Sequence, residues 1–385
     1  MTQPIRALVP SASAARISRR AVLSGFVVLG ATGILTACSR PSAFAASALP
    51  DGTQESNLNV YSWGDYDDPQ NLVDFMALGT VVQLDSYGSN EELIAKLGAT
   101  RGTSGYDVIV PTGNYVPMMS ANGLLEELDH SYLPNLANLD PLYLDQSWDK
   151  GNKYTVCKNW GTTGFAYDTR VITRPMTSWA DFLEAAQNEA SKNTALLEDS
   201  WEVCSMFFAA NGMDPNTTDP ANLAACEEYL VGTLATHIKA FNSTAVSSGI
   251  PEETFALMQA FNGDARQGLL VTDTPEAWKF VYPTPTANLW MDTWAIAKGA
   301  QNMDAAYAFI NFMLEPDVSY REVDYIGYST GVMGIAEMAA ENEFELPELV
   351  FPSNEIISRL TPAEINDSTE KLVTIVNRMM AKAAA

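Results

Sequence analysis

The sequence predicts an α/β protein of two domains, and three observations support this. Its 385 residues exceed the roughly 100–200 residues of most single domains. Short apolar runs alternate with amphipathic runs from about residue 59 onward, which is typical of a parallel α/β sheet. With 47% hydrophobic and 18% charged residues, the composition is that of a globular chain with a sizeable core.

The individual elements follow from the period of the apolar residues, which is two in strands and between three and four in helices. In the helix expected at 69–77, for example, Leu72, Phe75 and Met76 supply apolar side chains at helical spacing. We expect strands at 59–63, 81–84, 106–110, 164–167, 195–197, 268–271 and 290–296. We expect helices at 69–77, 90–97, 179–189, 201–211, 222–239, 251–263, 305–313 and 364–380.

The N-terminal segment has the pattern of an export signal. Four arginines lie before the apolar stretch 21–37, which ends in Leu35-Thr36-Ala37-Cys38. The Arg19-Arg20 pair resembles a twin-arginine signal, and the last four residues resemble a lipoprotein cleavage box, in which Cys38 would carry the lipid. We therefore expect a signal at 1–37 and a flexible tether at 38–56. A membrane anchor is the alternative, although 17 residues fall short of the ~20 that span a bilayer.

The charge balance excludes some functions. The chain has 22 Lys and Arg against 47 Asp and Glu, which gives −25, and removal of the signal gives 18 − 47 = −29. A nucleic-acid-binding protein needs a basic face, so we expect no such partner. The acidity favours either a solubilising surface or the attraction of cationic ligands, and charge alone leaves both open.

The few histidines and cysteines argue against a metal or redox centre, and no cofactor is expected. There are two histidines, and Cys157, Cys204 and Cys226 show no Cys-x-x-Cys spacing. For Cys204 and Cys226, which fall in consecutive predicted helices, a disulfide and two free core thiols both remain open.

Ten separated segments form an ordered set between residues 57 and 328. They are 60–66 (VYSWGDY), 89–91, 106–111 (YDVIVP), 177–181, 198–203 (EDSWEV), 240–243, 290–296 (WMDTWAI), 310–312, 316–318 and 326–328. The set resembles the spermidine/putrescine-binding proteins of bacterial ABC importers. The resemblance implies a type II periplasmic-binding fold, with two α/β lobes at 57–160 plus 291–338 and at 161–290 plus 339–385. It also implies a polyamine in the cleft between the lobes, an ABC permease as partner, a monomer, an extracytoplasmic location and no catalysis.

The matching segments also supply the chemistry that a polyamine requires. Its ammonium groups need carboxylates when buried, and its methylenes need flat apolar walls, which aromatic rings provide. The resemblance places ligand contacts at Trp63, Asp65, Tyr66, Thr112, Asp199, Glu202, Asp273, Trp290, Asp292 and Tyr328. Asp292 is the strongest of these, because an acid within an apolar strand needs a partner.

Some of these residues have structural explanations, and some positions depart from the family pattern. Asp199 and Glu202 are spaced as a helix capping box. Asn114 stands where the family has an aromatic residue, and Val271-Thr272-Asp273 replaces an expected tryptophan, which predicts a changed wall and an acid that favours putrescine. Two alternatives stay open: a binder of another small organic cation or amino compound, and an exported hydrolase that uses paired carboxylates such as Asp199 and Glu202.

Overall fold

The computed structural model describes residues 44–243 and 245–385. The expected export signal and Cys38 lie outside the described residues. The strands are β1 Asn57–Trp63, β2 Val81–Tyr87, β3 Val108–Ile109, β4 Thr155–Asp168, β5 Thr194–Leu196, β6 Ile238–Phe241, β7 Leu257–Phe261, β8 Trp278–Val281, β9 Ala287–Ile296 and β10 Leu360–Pro362.

The helices lie mostly between these strands, as the alternation in the sequence predicts. They are α1 Pro69–Met76, α2 Asn90–Thr100, α3 Val116–Ala121, α4 Trp179–Gln187, α5 Ser200–Ala210, α6 Pro220–Gly232, α7 Ala245–Gly249, α8 Asn262–Val271, α9 Met303–Met313, α10 Pro316–Ile326, α11 Ile335–Glu341, α12 Pro347–Val350, α13 Asn354–Ile357 and α14 Thr369–Ala383. Short 3₁₀ helices occur at Gly113–Tyr115, His130–Tyr132, Pro134–Asn138, Pro141–Tyr143, Lys150–Asn152, Leu234–His237 and Pro275–Ala277.

The strands form one mixed sheet with parallel ends and an antiparallel centre. Its order is β2-β1-β3-β9-β4-β7-β5-β6, with β10 paired to β9 and β8 paired to β4. β1 is parallel to β2 and β3, and β5 is parallel to β6 and β7, so each end is an α/β unit of the predicted kind. Between them, β9 runs antiparallel to both β3 and β4. The long strands β4 and β9 therefore join the two parallel units.

Helices cover both faces of the sheet at each end, which gives separate cores on either side. Leu58 and Val60 of β1 pack with α9 and α10 on one face, whereas Tyr61 packs with α2 on the other. At the far end, Phe165 and Tyr167 of β4 pack with helices α4, α5, α6 and α14. This alternation follows the two-residue period of a strand, and burial on both faces is what a parallel unit requires.

Three sequence-based assignments differ from the structure. The expected helix 251–263 contains strand β7, the expected strand 268–271 is the end of helix α8, and the expected helix 222–239 ends at Gly232. Short apolar runs fit a buried strand and a buried helix equally well, so their periodicity could not separate the two. Helix α8 packs closely on α7 at Gly268. A β-carbon at this position would lie 2.8 Å from the Val246 carbonyl oxygen, so the close packing requires a glycine.

The described part of the expected tether lies against the domain. The Ala45 amide donates to the Arg101 carbonyl, and the Ala48 amide donates to the Ala300 carbonyl, both at 2.9 Å. The Ser47 hydroxyl also accepts a hydrogen bond from the Gly299 amide at 2.8 Å. These hydrogen bonds hold residues 45–48 of the segment predicted as a flexible tether against the rest of the described chain.

Candidate functional site

Asp292 of β9 lies at the centre of the candidate site. It faces Asn159 of β4 in register and forms a bridge with Thr112, whose hydroxyl donates to its carboxylate at 2.7 Å. Asn90, at the start of α2, fixes Thr112 through its amide donor (2.9 Å) and its carbonyl oxygen (3.0 Å). Asp292 is 6% exposed, and this burial raises its pKa to about 6 although Thr112 opposes the shift. A buried carboxylate in this position is suited to accept a cation.

Aromatic rings surround this carboxylate. The rings of Tyr328 and Trp290 meet edge to face at 4.7 Å between centroids, and Tyr66 lies 6.1 Å from Tyr328. On another side, Trp63 packs against Tyr87 at 4.7 Å. Burial and then the charge of Asp292 raise the pKa of Tyr66 well above its usual value, which places its hydroxyl close to the carboxylate. The result is a carboxylate enclosed by flat apolar walls.

Two glycines make room for these rings. Gly161 of β4 is the register partner of Trp290, and a β-carbon on it would overlap the indole ring. Gly263, at the start of α8, would place a β-carbon within 2.5 Å of the Tyr328 ring. Any larger residue at either position would have to displace an aromatic wall of the site.

A second acidic group lies at the N-terminus of α5. The Asp199 carboxylate accepts from the Glu202 amide at 2.9 Å, which is one half of the capping box suggested by the spacing. The Glu202 side chain does not complete the box, because it turns inward and accepts from the Thr163 hydroxyl at 2.9 Å and from the Asn288 amide. Glu202 is 5% exposed, and burial, with a contribution from the charge of Asp199, raises its pKa to about 8.

Asp199 faces elements from the other end of the sheet. Its surface is accessible to water, yet desolvation by nearby protein still raises its pKa, a combination typical of a narrow cleft. The charge of Glu91, at the start of α2, raises the pKa further. Glu91 also accepts from the Tyr115 hydroxyl at 2.7 Å. The start of α5 therefore lies near the start of α2.

Strand β9 connects the two acidic groups. Asn288, which contacts Glu202, and Asp292 are four residues apart and so lie on the same face of the strand. At ~3.3 Å per residue their backbones are about 13 Å apart. Trp290 lies between them on that face, so the site has an acidic group at each end and an indole in the middle.

Asp264 is a further acid in this cluster. It lies in the first turn of α8 and accepts from the Tyr328 hydroxyl at 2.7 Å, and burial raises its pKa to about 6. Just before it, Phe261 packs edge to face on Trp290 at 5.9 Å. None of the four acids of the site (Asp199, Glu202, Asp264 and Asp292) forms an ion pair with a lysine or arginine in the described residues.

Comparison with known proteins identifies the family. The model of the bacterial extracellular solute-binding protein family matches residues 76–346. The spermidine/putrescine-binding periplasmic protein 1 of Haemophilus influenzae is 33% identical over 326 residues, which cover 84% of this chain and 88% of the relative. The chain belongs to the bacterial extracellular solute-binding protein family. Membership places it among binding proteins of transport systems, which are not enzymes.

Other members of the family agree in sequence and fold. The putrescine-binding periplasmic protein of Pseudomonas aeruginosa is 28% identical and covers 86% of this chain and 93% of its own length. The spermidine/putrescine ABC transporter substrate-binding protein of Streptococcus pneumoniae superposes with a TM-score of 0.74 at 30% identity, over 86% of this chain and 100% of that structure. The two-lobed, type II periplasmic-binding fold predicted for this chain is therefore confirmed.

The structure brings most of the sequence-predicted site residues together. Trp63, Tyr66, Thr112, Asp199, Glu202, Trp290, Asp292 and Tyr328 all belong to the arrangement described above. Asp65 is exposed in the turn after β1, where its φ of 53° is left-handed.

Asp273 does not belong to this group. It is exposed beyond the C-terminal end of α8, about 13 Å along the helix from Asp264. The resemblance predicts an acid at Asp273 and a lost aromatic wall at Val271, after a strand expected at 268–271. In the structure, the strand with an aromatic end and a following acid is instead β7, which ends in Phe261 and is followed by Asp264 in α8. An acid just after a buried strand was the signal that could have located Asp264, because ligands bind at the carboxyl ends of parallel strands.

The cysteines and other candidate centres add no chemistry to the site. Cys157, Cys204 and Cys226 are buried free thiols, and Cys204 and Cys226 lie in contact with each other. Among the described residues, no three or more His, Cys, Asp or Glu side chains are grouped so that they could hold a metal ion. In the same residues, no helix is both long and apolar enough to cross a membrane.

Proposed function

We propose that this protein captures a polyamine, putrescine or spermidine, outside the cytoplasm and delivers it to an ABC permease. The observation that carries the proposal is the pairing of two acidic groups, Asp292 and Glu202, on either side of the Trp290 indole. The names of the relatives from Haemophilus influenzae and Pseudomonas aeruginosa agree with this ligand class.

The physical chemistry of a polyamine matches the arrangement. Each ammonium group loses its hydration on burial, and a carboxylate without a resident cation offsets that loss. The methylenes between the ammonium groups fit against an indole face, and each ring beside an ammonium contributes about 0.5–2 kcal/mol. An anionic or neutral ligand would bring no positive charge to the buried carboxyl groups of Asp292 and Glu202.

Ligand binding would close two lobes, and their boundaries are those expected from the sequence. We assign 57–160 with 291–338 to one lobe and 161–290 with 339–385 to the other. The change of lobe then falls at Trp160-Gly161 in β4 and at Trp290-Met291 in β9, which are partners in one antiparallel ladder. A rotation there would change the distance between the starts of α2 and α5, and the permease would recognise the closed form.

The N-terminal sequence supports lipid anchoring at the outer face of the cell membrane, and we propose that the anchored protein is a monomer. Residues 1–37 are the export signal in this proposal, and Cys38 carries the lipid. Replacing Cys38 by alanine would then release the mature protein from membranes into the soluble fraction. Unchanged membrane retention of the Cys38→Ala variant would refute the anchor without affecting the ligand assignment.

Calorimetric titration with putrescine and spermidine tests the ligand class. We expect saturable heat at one ligand per protein, with the ligand recovered intact. Asp273→Asn is the matched control, because Asp273 is an exposed acid outside the cluster, and this variant should titrate like the wild type. The absence of heat with both polyamines would refute the proposal and favour another organic cation, whereas turnover of a ligand would favour a hydrolase.

A further inference from the structure

One lysine is buried directly behind the candidate site. The Lys158 side chain is 1% exposed, and its ammonium donates to Glu322 and lies 3.3 Å from the Asp67 carboxylate. It also donates to the Tyr66 carbonyl oxygen at 2.8 Å and to the Asn159 side-chain oxygen at 3.1 Å. We call Lys158, Asp67 and Glu322 the buried triad.

The ammonium of the triad also contacts the aromatic wall of the site. It lies 4.5 Å from the centre of the Tyr66 ring and 4.8 Å from that of Trp294. Because it touches both the carbonyl and the ring of Tyr66, it restrains that residue at two points. The hydroxyl of the same ring lies close to Asp292, so Lys158 and the central carboxylate act on one side chain.

Two members of the triad belong to segments that carry a site residue, and the third lies in β4, which pairs with β9. Asp67 directly follows Tyr66, and Glu322 lies in α10, which ends at Ile326, two residues before Tyr328. Lys158 lies at the irregularity of β4 where the register with β9 shifts, next to the partner of Asp292. The triad therefore ties the segments that present Tyr66 and Tyr328 to β4, the strand that pairs with Asp292 of β9.

Stability alone does not explain why this arrangement is charged. Removing three charged groups from water costs several kcal/mol per ion, and apolar residues of similar volume often replace a buried ion pair without loss of stability. The triad also has two carboxylates for one ammonium. Among the described residues, neither carboxylate oxygen of Asp67 accepts a hydrogen bond of regular geometry. A role of the triad in positioning neighbouring side chains explains its charges better than a role in stability.

We infer that Lys158, Asp67 and Glu322 are positioning residues of the ligand site, which hold the Tyr66 ring and the Tyr328 segment in the geometry that receives an ammonium group. This inference rests on the proposed function, because the ligand is the polyamine assigned there. The net charge of the triad is −1, so it also adds to the attraction for a cationic ligand from behind Tyr66.

The test compares an uncharged triad with a matched control. The triple variant Lys158→Met, Asp67→Asn, Glu322→Gln removes all three charges, and the new glutamine keeps an oxygen for the Asp68 amide and Asn71, which Glu322 now accepts from at 3.0 Å. The control is Arg321→Met with Asp74→Asn. It removes a partly exposed ion pair of 3.0 Å that links α10 to α1 without touching Tyr66.

We expect the triple variant to melt cooperatively near the wild-type temperature and to bind putrescine roughly tenfold more weakly, while the control binds like the wild type. A purely structural triad would leave affinity unchanged in a variant of unchanged stability. Binding by the folded triple variant within twofold of the wild type would overturn the inference. If wild-type protein bound neither polyamine, the proposed function itself would fail, and the two failures are therefore distinguishable.

A second variant applies if the triple variant does not fold. Lys158→Arg keeps the charge and the ion pairs, but the larger guanidinium cannot occupy the same contacts with the Tyr66 carbonyl and ring. We expect this variant to fold and to bind putrescine several-fold more weakly. Wild-type affinity in folded Lys158→Arg protein would contradict a positioning role for this residue.

Discussion

Polyamine binding should release protons, because the site carboxyls are partly protonated without a ligand. Burial raises the pKa of Glu202 to about 8 and the pKa values of Asp264 and Asp292 to about 6. An ammonium group beside a carboxyl favours its ionised form, so each bound charge lowers these pKa values. Binding is then favoured as pH rises, and affinity should fall when pH is lowered from 8 to 6.

The magnitude follows from these pKa values. For a group with a pKa near 8, the protonated fraction rises from about half at pH 8 to nearly all at pH 6. If binding requires the ionised form, this change lowers the affinity about fiftyfold. Each group with a pKa near 6 adds about a twofold loss over the same range. Together Glu202, Asp264 and Asp292 predict a loss of roughly two-hundredfold, most of it from Glu202.

Titration calorimetry in two buffers that differ in ionisation enthalpy measures the protons directly. At pH 7 we expect about one proton released per putrescine, most of it from Glu202. Glu202→Gln keeps an oxygen that can accept from Thr163 and Asn288 but cannot titrate. In this variant the pH dependence should shrink to about fourfold. Equal heats in both buffers, or wild-type affinity that is constant from pH 6 to 8, would refute the reasoning.

Further expectations concern single residues and lobe closure. Asp292→Asn should weaken putrescine binding at least tenfold without lowering the melting temperature, because the lost partner of a desolvated charge pair costs about 2–5 kcal/mol in binding; titration and thermal melts together check this. Gly161→Ala should lower both affinity and melting temperature, because the new β-carbon displaces Trp290. Asp264→Asn should weaken binding, unlike Asp273→Asn, and equal effects of the two in parallel titrations would contradict our placement of the acids. Saturating putrescine should reduce the radius of gyration in small-angle scattering, and superposable profiles would count against closure.

The fold could be predicted where a regular pattern is long enough to be unambiguous. The helices at α1, α2, α4, α5 and α9 lie within a few residues of their expected positions, because each carries apolar residues at helical spacing. The antiparallel centre could not be predicted in this way. Strands β4 and β9 are buried on both faces over most of their length, and such runs contain no information about the direction of their neighbours.

The site could be predicted in part for a related reason. Asp292 stood out because an acid within an apolar strand is rarely buried without a purpose, and the structure places it among aromatic rings. Asp264 follows directly on β7, whose residues 257–261 fall within a helix expected at 251–263, so the apolar pattern does not indicate a strand end at this position. The resemblance predicts Asp273 as the acid instead, and this residue is exposed beyond the other end of α8.

Carboxylates in this protein fall into two kinds that the sequence could not distinguish. Asp67 and Glu322 already have a cation, because Lys158 lies between them in the core. Asp292, Asp264 and Glu202 accept hydrogen bonds from neutral donors and form no ion pair among the described residues, and burial raises the pKa of each. In a chain of net charge −25, the presence of acidic residues does not locate the ligand site. A buried acid without a lysine or arginine partner is a more specific indicator. By that criterion, the ammonium groups of a polyamine belong with the second kind, while the first kind holds the Tyr66 wall against which they would rest.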